Sequence, residues 1–260
     1  MTGSMTGSMT GSMTAAVIGA GPAVVQRTPV ADTVVVIAKQ PLPGKVKTRL
    51  IGEFSPHEAA ELAGEALNDT LAAVDGLAPR RVLLLDGDPG EWIPTGWQIL
   101  QQSQGDLDER LSAGFDAIAA GWNAGPYGST RHVAPGRVVL VGMDTPQLSG
   151  ELDRLDLRNH DCALGLAEDG GFWAIAFADA SVARSVIAGV PMSRPDTGAE
   201  QLCRLRQAGL RVQRLPVLRD VDEPADARAI ALGHPHTRFA RRWRALAGSS
   251  TGAAQTGAAQ

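Results

Sequence analysis

No apolar run in this 260-residue sequence approaches the ~18 residues that a membrane span requires. The N-terminus also lacks a basic stretch leading into an apolar core, which argues against a secretory signal. Cysteine is scarce: Cys162 and Cys203 make neither a disulfide framework nor a CxxC metal knuckle, so a reducing, cytoplasmic compartment is expected. Positive charge is not in excess, with 24 Lys and Arg against 28 Asp and Glu and a net charge of −4. That balance excludes nucleic-acid binding through bulk charge. GxxxxGK[ST], HExxH and GxSxG are all absent, which removes the Walker loop, the zinc-peptidase helix and the serine nucleophile elbow. His57, His132, His160, His234 and His236 form no helix-spaced pair.

What remains is ordinary for a soluble globular chain, with 44% hydrophobic and 20% charged residues and length for one large α/β domain or two small ones. Residues 1–14 repeat MTGS and residues 251–260 repeat TGAAQ, and such polar repeats cannot bury enough apolar area to offset ordering entropy. The division expected is a disordered extension over 1–30, one domain over 31–247 and a disordered tail over 248–260. Val17-Ile18-Gly19-Ala20-Gly21-Pro22 imitates a dinucleotide fingerprint, but Val24 replaces the third glycine and Pro29 breaks the helix that should follow.

Strand-like and helix-like segments alternate across the domain. The β-branched run Thr33–Ala38 predicts a strand buried on both faces, and Ser55-Pro56-His57-Glu58 predicts a capped helix running to about Val74. Further strands are expected at Arg81–Leu85, Arg137–Val141, Cys162–Leu166, Phe172–Phe177 and Arg211–Leu215. Helices are expected at Leu107–Ala120, Thr197–Ala208 and Pro224–Ala231, with a mobile loop at 123–136. Arg241-Arg242-Trp243-Arg244 reads as a solvated helix end with cations at the C-terminal dipole. This alternation predicts a mainly parallel sheet covered on both faces.

Ligands of open α/β sheets bind beyond the carboxyl ends of the strands, so the segments after each strand matter most. After the first come Lys39, Lys45, Lys47 and Arg49, four cations within 11 residues, in a stretch kept non-helical by Pro41, Pro43 and Gly44. Such a loop suits a polyanion, although a plain solvated basic loop has the same composition. After the third strand Asp144 precedes Thr145 and Pro146, and after the last comes Asp220-Val221-Asp222-Glu223-Pro224. Each of Asp144 and Asp222 is placed either to hold a divalent cation or to cap the helix that follows.

AKQPLPGKVKTRL, GDLDERL, GMDTPQL, AEDGGFWAI and DVDEPADA, in that order over roughly residues 33–232, resemble a bacterial radical-SAM- or selenium-associated transferase family of the glycosyltransferase-A (nucleotide-diphospho-sugar transferase) fold. The basic loop and the DVD segment also resemble 2-phospholactate guanylyltransferases. The resemblance implies phosphate contacts from Lys39, Pro43, Gly44, Lys45, Lys47 and Arg49, and a base or ribose contact from Gly105, Asp106 and Arg110. It implies Mg2+ or Mn2+ on Asp144 and Asp222, and a second-substrate loop at Glu168, Asp169, Gly170 and Gly171. Asp108 stands where that family commonly has glycine, and Glu223 where it has threonine.

Three functions are compatible with these residues. The first is nucleotidylyl transfer from a nucleoside triphosphate to a phosphorylated small molecule, in which Lys47, Arg49 and Asp144 serve the reaction and pyrophosphate departs. The second is glycosyl transfer from a nucleotide sugar to a hydroxyl, with Asp169 as the base. The third is a non-catalytic nucleotide-sugar-binding module. The partners expected are a nucleotide or nucleotide sugar and a small acceptor, with no nucleic acid and no membrane span.

Overall fold

The computed structural model describes residues 29–121 and 136–256. The MTGS repeats, the Val17–Pro22 segment and nearly all of the 123–136 loop lie outside the described residues. Seven strands form one sheet: β1 (Thr33–Lys39), β2 (Arg80–Asp86), β3 (Gln98–Gln101), β4 (Val138–Gly142), β5 (Cys162–Ala167), β6 (Phe172–Phe177) and β7 (Val212–Leu218). Their order is β3-β2-β1-β4-β6-β5-β7. β6 alone runs antiparallel to both its neighbours. The short link at 168–171 between β5 and β6 permits only a hairpin, because a parallel return needs a crossover of a dozen residues or more. The chain steps outward from β1 to β2 and β3, then returns to place β4 on the other side of β1. The carboxyl ends of β1 and β4 therefore flank the switch in strand order, where open sheets form their ligand crevice.

The period-two alternation of β1 explains why it is apolar throughout. Val34, Val36 and Ala38 face one layer, where Ala60, Ala63, Leu67 and Leu71 of α1 (Pro56–Val74) cover them. Val35 faces the other, where α2 (Leu107–Ala119) contributes Leu111, Phe115 and Ile118. Phe115 meets Phe177 of β6 edge to face, with ring centres 5.3 Å apart. α3 (Ala183–Ile187) and α4 (Thr197–Gln207) complete that layer. α1 starts as its sequence demands, with Ser55 and Glu58 exchanging the two bonds of a capping box and Pro56 in the first turn.

A third apolar cluster joins α1 to α5 (Pro224–Gly233) and α6 (Arg238–Thr256) and includes Leu50 and Phe54, just beyond the basic loop. Asp69 of α1 accepts the backbone N–H groups of Arg238 and Phe239, each at 2.9 Å, and so caps α6 from outside its own chain segment.

Four expectations need correction. β3 was not foreseen, because four partly buried residues at a sheet edge carry little periodic signal. β7 runs past Pro216, which an edge strand tolerates since its outward N–H needs no partner. Arg241, Arg242 and Arg244 lie near the beginning of α6, not its end. There they are held by the carbonyls of His236 and Pro235 and by Glu61 rather than by the helix dipole. Finally, α6 runs on to Thr256, so a boundary at residue 248 falls inside a helix. Among the described residues, no helix is long and apolar enough to cross a membrane.

Candidate functional site

The basic loop leaves β1 at Lys39, whose ammonium lies 3.8 Å from Asp86 at the end of β2. It then turns through Gly44, whose φ of +71° suits glycine, and Lys45 donates its backbone N–H to the Leu42 carbonyl. Val46 and Leu50 are both buried and pin the loop at two points. Between them Lys47 takes a left-handed backbone, φ 47° and ψ 41°, that few residues other than glycine adopt. Lys39, Lys45, Lys47 and Arg49 all line one cavity of about 260 Å³, shared with Met143, Asp144 and Asp222. The four cations thus share one cavity, although Lys39, Lys45 and Arg49 are exposed and only Lys47 is drawn out of solvent.

Asp144 follows β4 and Asp222 follows β7, and the Val221 N–H donates to the Asp144 carbonyl at 2.9 Å, tying the two exits together. Val221 is buried in the third cluster, which turns its neighbours Asp220 and Asp222 away from it. Neither Asp144 nor Asp222 caps a helix. Gly150 precedes the short 3-10 turn after β4, and Glu223 caps α5 in a reciprocal box with Asp226. Instead the two carboxylates meet on Lys47, whose Nζ lies 2.7 Å from Asp144 and 3.4 Å from Asp222. Arg49 reaches the other oxygen of Asp222 at 3.1 Å. Burial lowers the Lys47 pKa, but Asp144 and Asp222 outweigh it, and the net shift is upward.

Carboxylate oxygens of Asp169, Asp220 and Asp222 all lie within 4.8 Å of one another. Three hard oxygen donors suit Mg2+ or Mn2+. Asp220 reads in the sequence as part of this acidic segment, but only Asp222 is expected there to hold a cation; the spacing of two across an apolar valine is the signal that places both on one side. Burial, with help from Asp169 and Asp222, raises the Asp220 pKa to about 6. The folded state then holds a proton that the unfolded state releases near 4, so stability falls as pH rises from about 4 to about 6. Without metal, Asp220→Asn is expected to stabilise the protein at pH 7–8 by the order of 1 kcal/mol, allowing for solvent screening. The gain should vanish below pH 4, and thermal melts across pH check it.

A second cavity, of about 440 Å³, shares the wall made by Lys39, Met143, Asp144 and Asp222 and extends over the sheet end. On one side lie Gln102, Leu107 and Arg110; on the other, Asp169, Trp173 and Thr197. Gln102 donates to the Ala38 and Leu84 carbonyls and accepts from Arg110 at 2.8 Å. The Arg110 Nε is buried with no partner among the described residues.

Other expected site residues have structural roles. Pro43 and Gly44 shape the turn and line neither cavity. Asp106 caps α2 in a box with Glu109, and Gly105 is fixed by a φ of +113° beside the Glu109 carboxylate. Glu168 is held by Arg219 at 2.7 Å. Gly170 is pressed against the Pro195 carbonyl, while Gly171 and Asp169 do line the larger cavity. The two departures from the family pattern are also accounted for: Asp108 accepts the Gly189 N–H at 2.7 Å, and Glu223 caps α5.

Comparison with known proteins agrees with the fold. A bacterial family described as "Uncharacterized protein conserved in bacteria (DUF2064)" matches residues 59–194, more than half of the chain, leaving the basic loop and Asp220–Asp222 outside the match. No curated protein matches the sequence. A Desulfovibrio desulfuricans G20 protein, provisionally named a nucleotide-diphospho-sugar transferase, is 26% identical, with a TM-score of 0.72 over 84% of this chain and 96% of that one. The fold is accordingly that of the nucleotide-diphospho-sugar transferases. A Leptospira borgpetersenii cytidylyltransferase is 12% identical, with a TM-score of 0.45 over 85% of this chain and 95% of that one. Glucosyl-3-phosphoglycerate synthase of Mycobacterium tuberculosis, solved with Mn2+ and UDP, is also 12% identical, with a TM-score of 0.41 over 76% and 74%. Likenesses at that level carry no functional argument.

Proposed function

The chain belongs to the DUF2064 family, and we propose that it is a divalent-metal-dependent transferase moving a nucleoside monophosphate from a nucleoside triphosphate to a phosphorylated small molecule. The observation that carries this reading is the joining of two cavities at one wall, one of them lined by four cations. The cationic cavity suits the β- and γ-phosphates, and the larger one suits the nucleoside, on the Gln102–Arg110 side, and the acceptor, on the Asp169–Thr197 side. An α-phosphate on the shared wall then has separate space for the entering oxygen and for the departing pyrophosphate, as in-line displacement requires. An acceptor phosphate oxygen forms the new bond to the α-phosphorus. The bond to the bridging oxygen breaks, and pyrophosphate leaves towards Lys39, Lys45, Lys47 and Arg49. The acceptor is already ionised, so no base is needed. Asp222 with Asp144, Asp169 or Asp220 would hold a divalent cation, which would supply charge neutralisation at the phosphates. The transferase unit is the domain expected over residues 31–247, carried on by the remainder of α6 to Thr256, and it acts in the cytoplasm. The likeness of its basic loop to 2-phospholactate guanylyltransferases supports the same chemistry.

Glycosyl transfer is the second reading, favoured by the name of the Desulfovibrio protein and by Asp169 in the larger cavity. Incubation with Mg2+ and each nucleoside triphosphate, then each nucleotide sugar, in a metabolite extract separates the two. Pyrophosphate release supports the first reading, and nucleoside diphosphate release overturns it.

Lys47→Gly keeps a residue at ease at φ 47° while removing the ammonium. Affinity for the nucleotide is expected to fall by ~1.5–3 kcal/mol, the range of a lost charge-assisted contact. Calorimetry measures it, and an unchanged dissociation constant removes Lys47 from the phosphate cradle.

A further inference from the structure

Resting on the nucleotide reading above, we propose that Lys47 is an exchangeable resident cation. Its ammonium holds the seat between Asp144 and Asp222 against a divalent ion and gives it up only when phosphate draws it away. Metal and nucleotide then bind strongly together and weakly apart.

Four observations carry this. The ammonium contacts carboxylates from two different strand exits, at 2.7 Å and 3.4 Å, so it occupies the point on which those exits converge. Its side chain is only 9% exposed, against 52% for Lys39 and 67% for Arg49, so of these three cations Lys47 alone is buried where it meets its carboxylates. The backbone beneath it is fixed between buried Val46 and Leu50, so folding itself places the ammonium. Finally, Lys47 also lines the basic cavity, so its flexible stem can carry the charge from carboxylate to phosphate without moving the loop.

The physical consequence is competition followed by coupling. An ion sharing the two carboxylates would sit within a few ångströms of the ammonium, and like charges at that distance disfavour joint occupancy. A triphosphate offers Lys47 another anion and removes the competitor, so by linkage each ligand raises the affinity for the other.

The test is Mn2+ titration followed by paramagnetic resonance and water-proton relaxation, which report bound ion without turnover. Wild type, Lys47→Gly and the control Arg206→Ala, an exposed position on α4 that lines neither cavity, are compared, first alone and then with each of the four common nucleoside triphosphates. Lys47→Gly should bind Mn2+ at least about tenfold more tightly than wild type, with Arg206→Ala unchanged. A triphosphate should tighten Mn2+ binding at least about tenfold in wild type and much less in Lys47→Gly. Equal or weaker Mn2+ binding by Lys47→Gly, with triphosphate binding intact in wild type, overturns the exchange and leaves the nucleotide reading standing. No response to any triphosphate overturns both. Melting curves confirm folding, and Lys47→Met, which keeps the apolar stem, provides the same comparison should the glycine variant fail to fold.

Discussion

Asp222→Asn is expected to lower metal-dependent turnover by about two to three orders of magnitude while leaving the protein folded. Asp222 receives Lys47 and Arg49, lies beside Asp169 and Asp220 and forms part of the wall between the two cavities, yet caps no helix. Asparagine preserves its shape and removes the charge. Asp144→Asn should have a similar effect, since the same ammonium bridges both groups. The double variant should be little worse than either single one, because residues acting as a unit are non-additive. Turnover, Mg2+ affinity and melting temperature measured for all three decide the matter. Additive losses in turnover would show that the two carboxylates act separately.

Gly170→Ala should cost more than ~3 kcal/mol or prevent folding. A Cβ there would lie 1.9 Å from the Pro195 carbonyl oxygen, on a backbone with φ +93°, and neither partner is a flexible side chain. The Gly198 N–H also donates to the Gly170 carbonyl at 2.7 Å, so displacement reaches the start of α4 and with it Thr197 on the cavity wall. Gly44→Ala is the control. Its φ of +71° is also left-handed, but nothing lies within 4 Å of the added atom, so it should cost only ~1 kcal/mol. Urea unfolding of the two variants gives the comparison, and similar losses would mean that backbone conformation alone, not the contact with Pro195, sets the cost.

Much of the architecture was legible because burial on two faces forces a strand to be apolar throughout. TVVVIA therefore pointed to β1, and the Ser-Pro-x-Glu start placed α1 to within a residue. The strand-end rule likewise singled out Lys47, Asp144 and Asp222, which tertiary contact then brought together. What stayed hidden was whatever has no local period. β3 is four residues long, and Gln102 gains its importance only from carbonyls supplied by two other strands. Asp106 shows the opposite case: Asp106 and Glu109 spell a capping box, a structural role legible locally beside the nucleotide contact expected of Asp106.

The apolar cluster under the basic loop bears on how the protein is made. Leu50 and Phe54 belong to one buried cluster with Ile230 and Phe239, and the Asp144 carbonyl is bonded by Val221, so segments nearly 200 residues apart share one foundation. During synthesis at ~5–20 residues per second the cation loop emerges first and waits roughly ten seconds or more for its support. A ribosome-bound chain that ends before α6 can pair β1 with β2 and β4, yet it cannot clamp the loop between α1 and the C-terminal helices. Nascent chains stalled before residue 238 should therefore not be retained on a triphosphate resin, while chains with α6 fully exposed should be. Competence for nucleotide would arrive late and abruptly, and an incomplete product would not sequester nucleotide while still being translated.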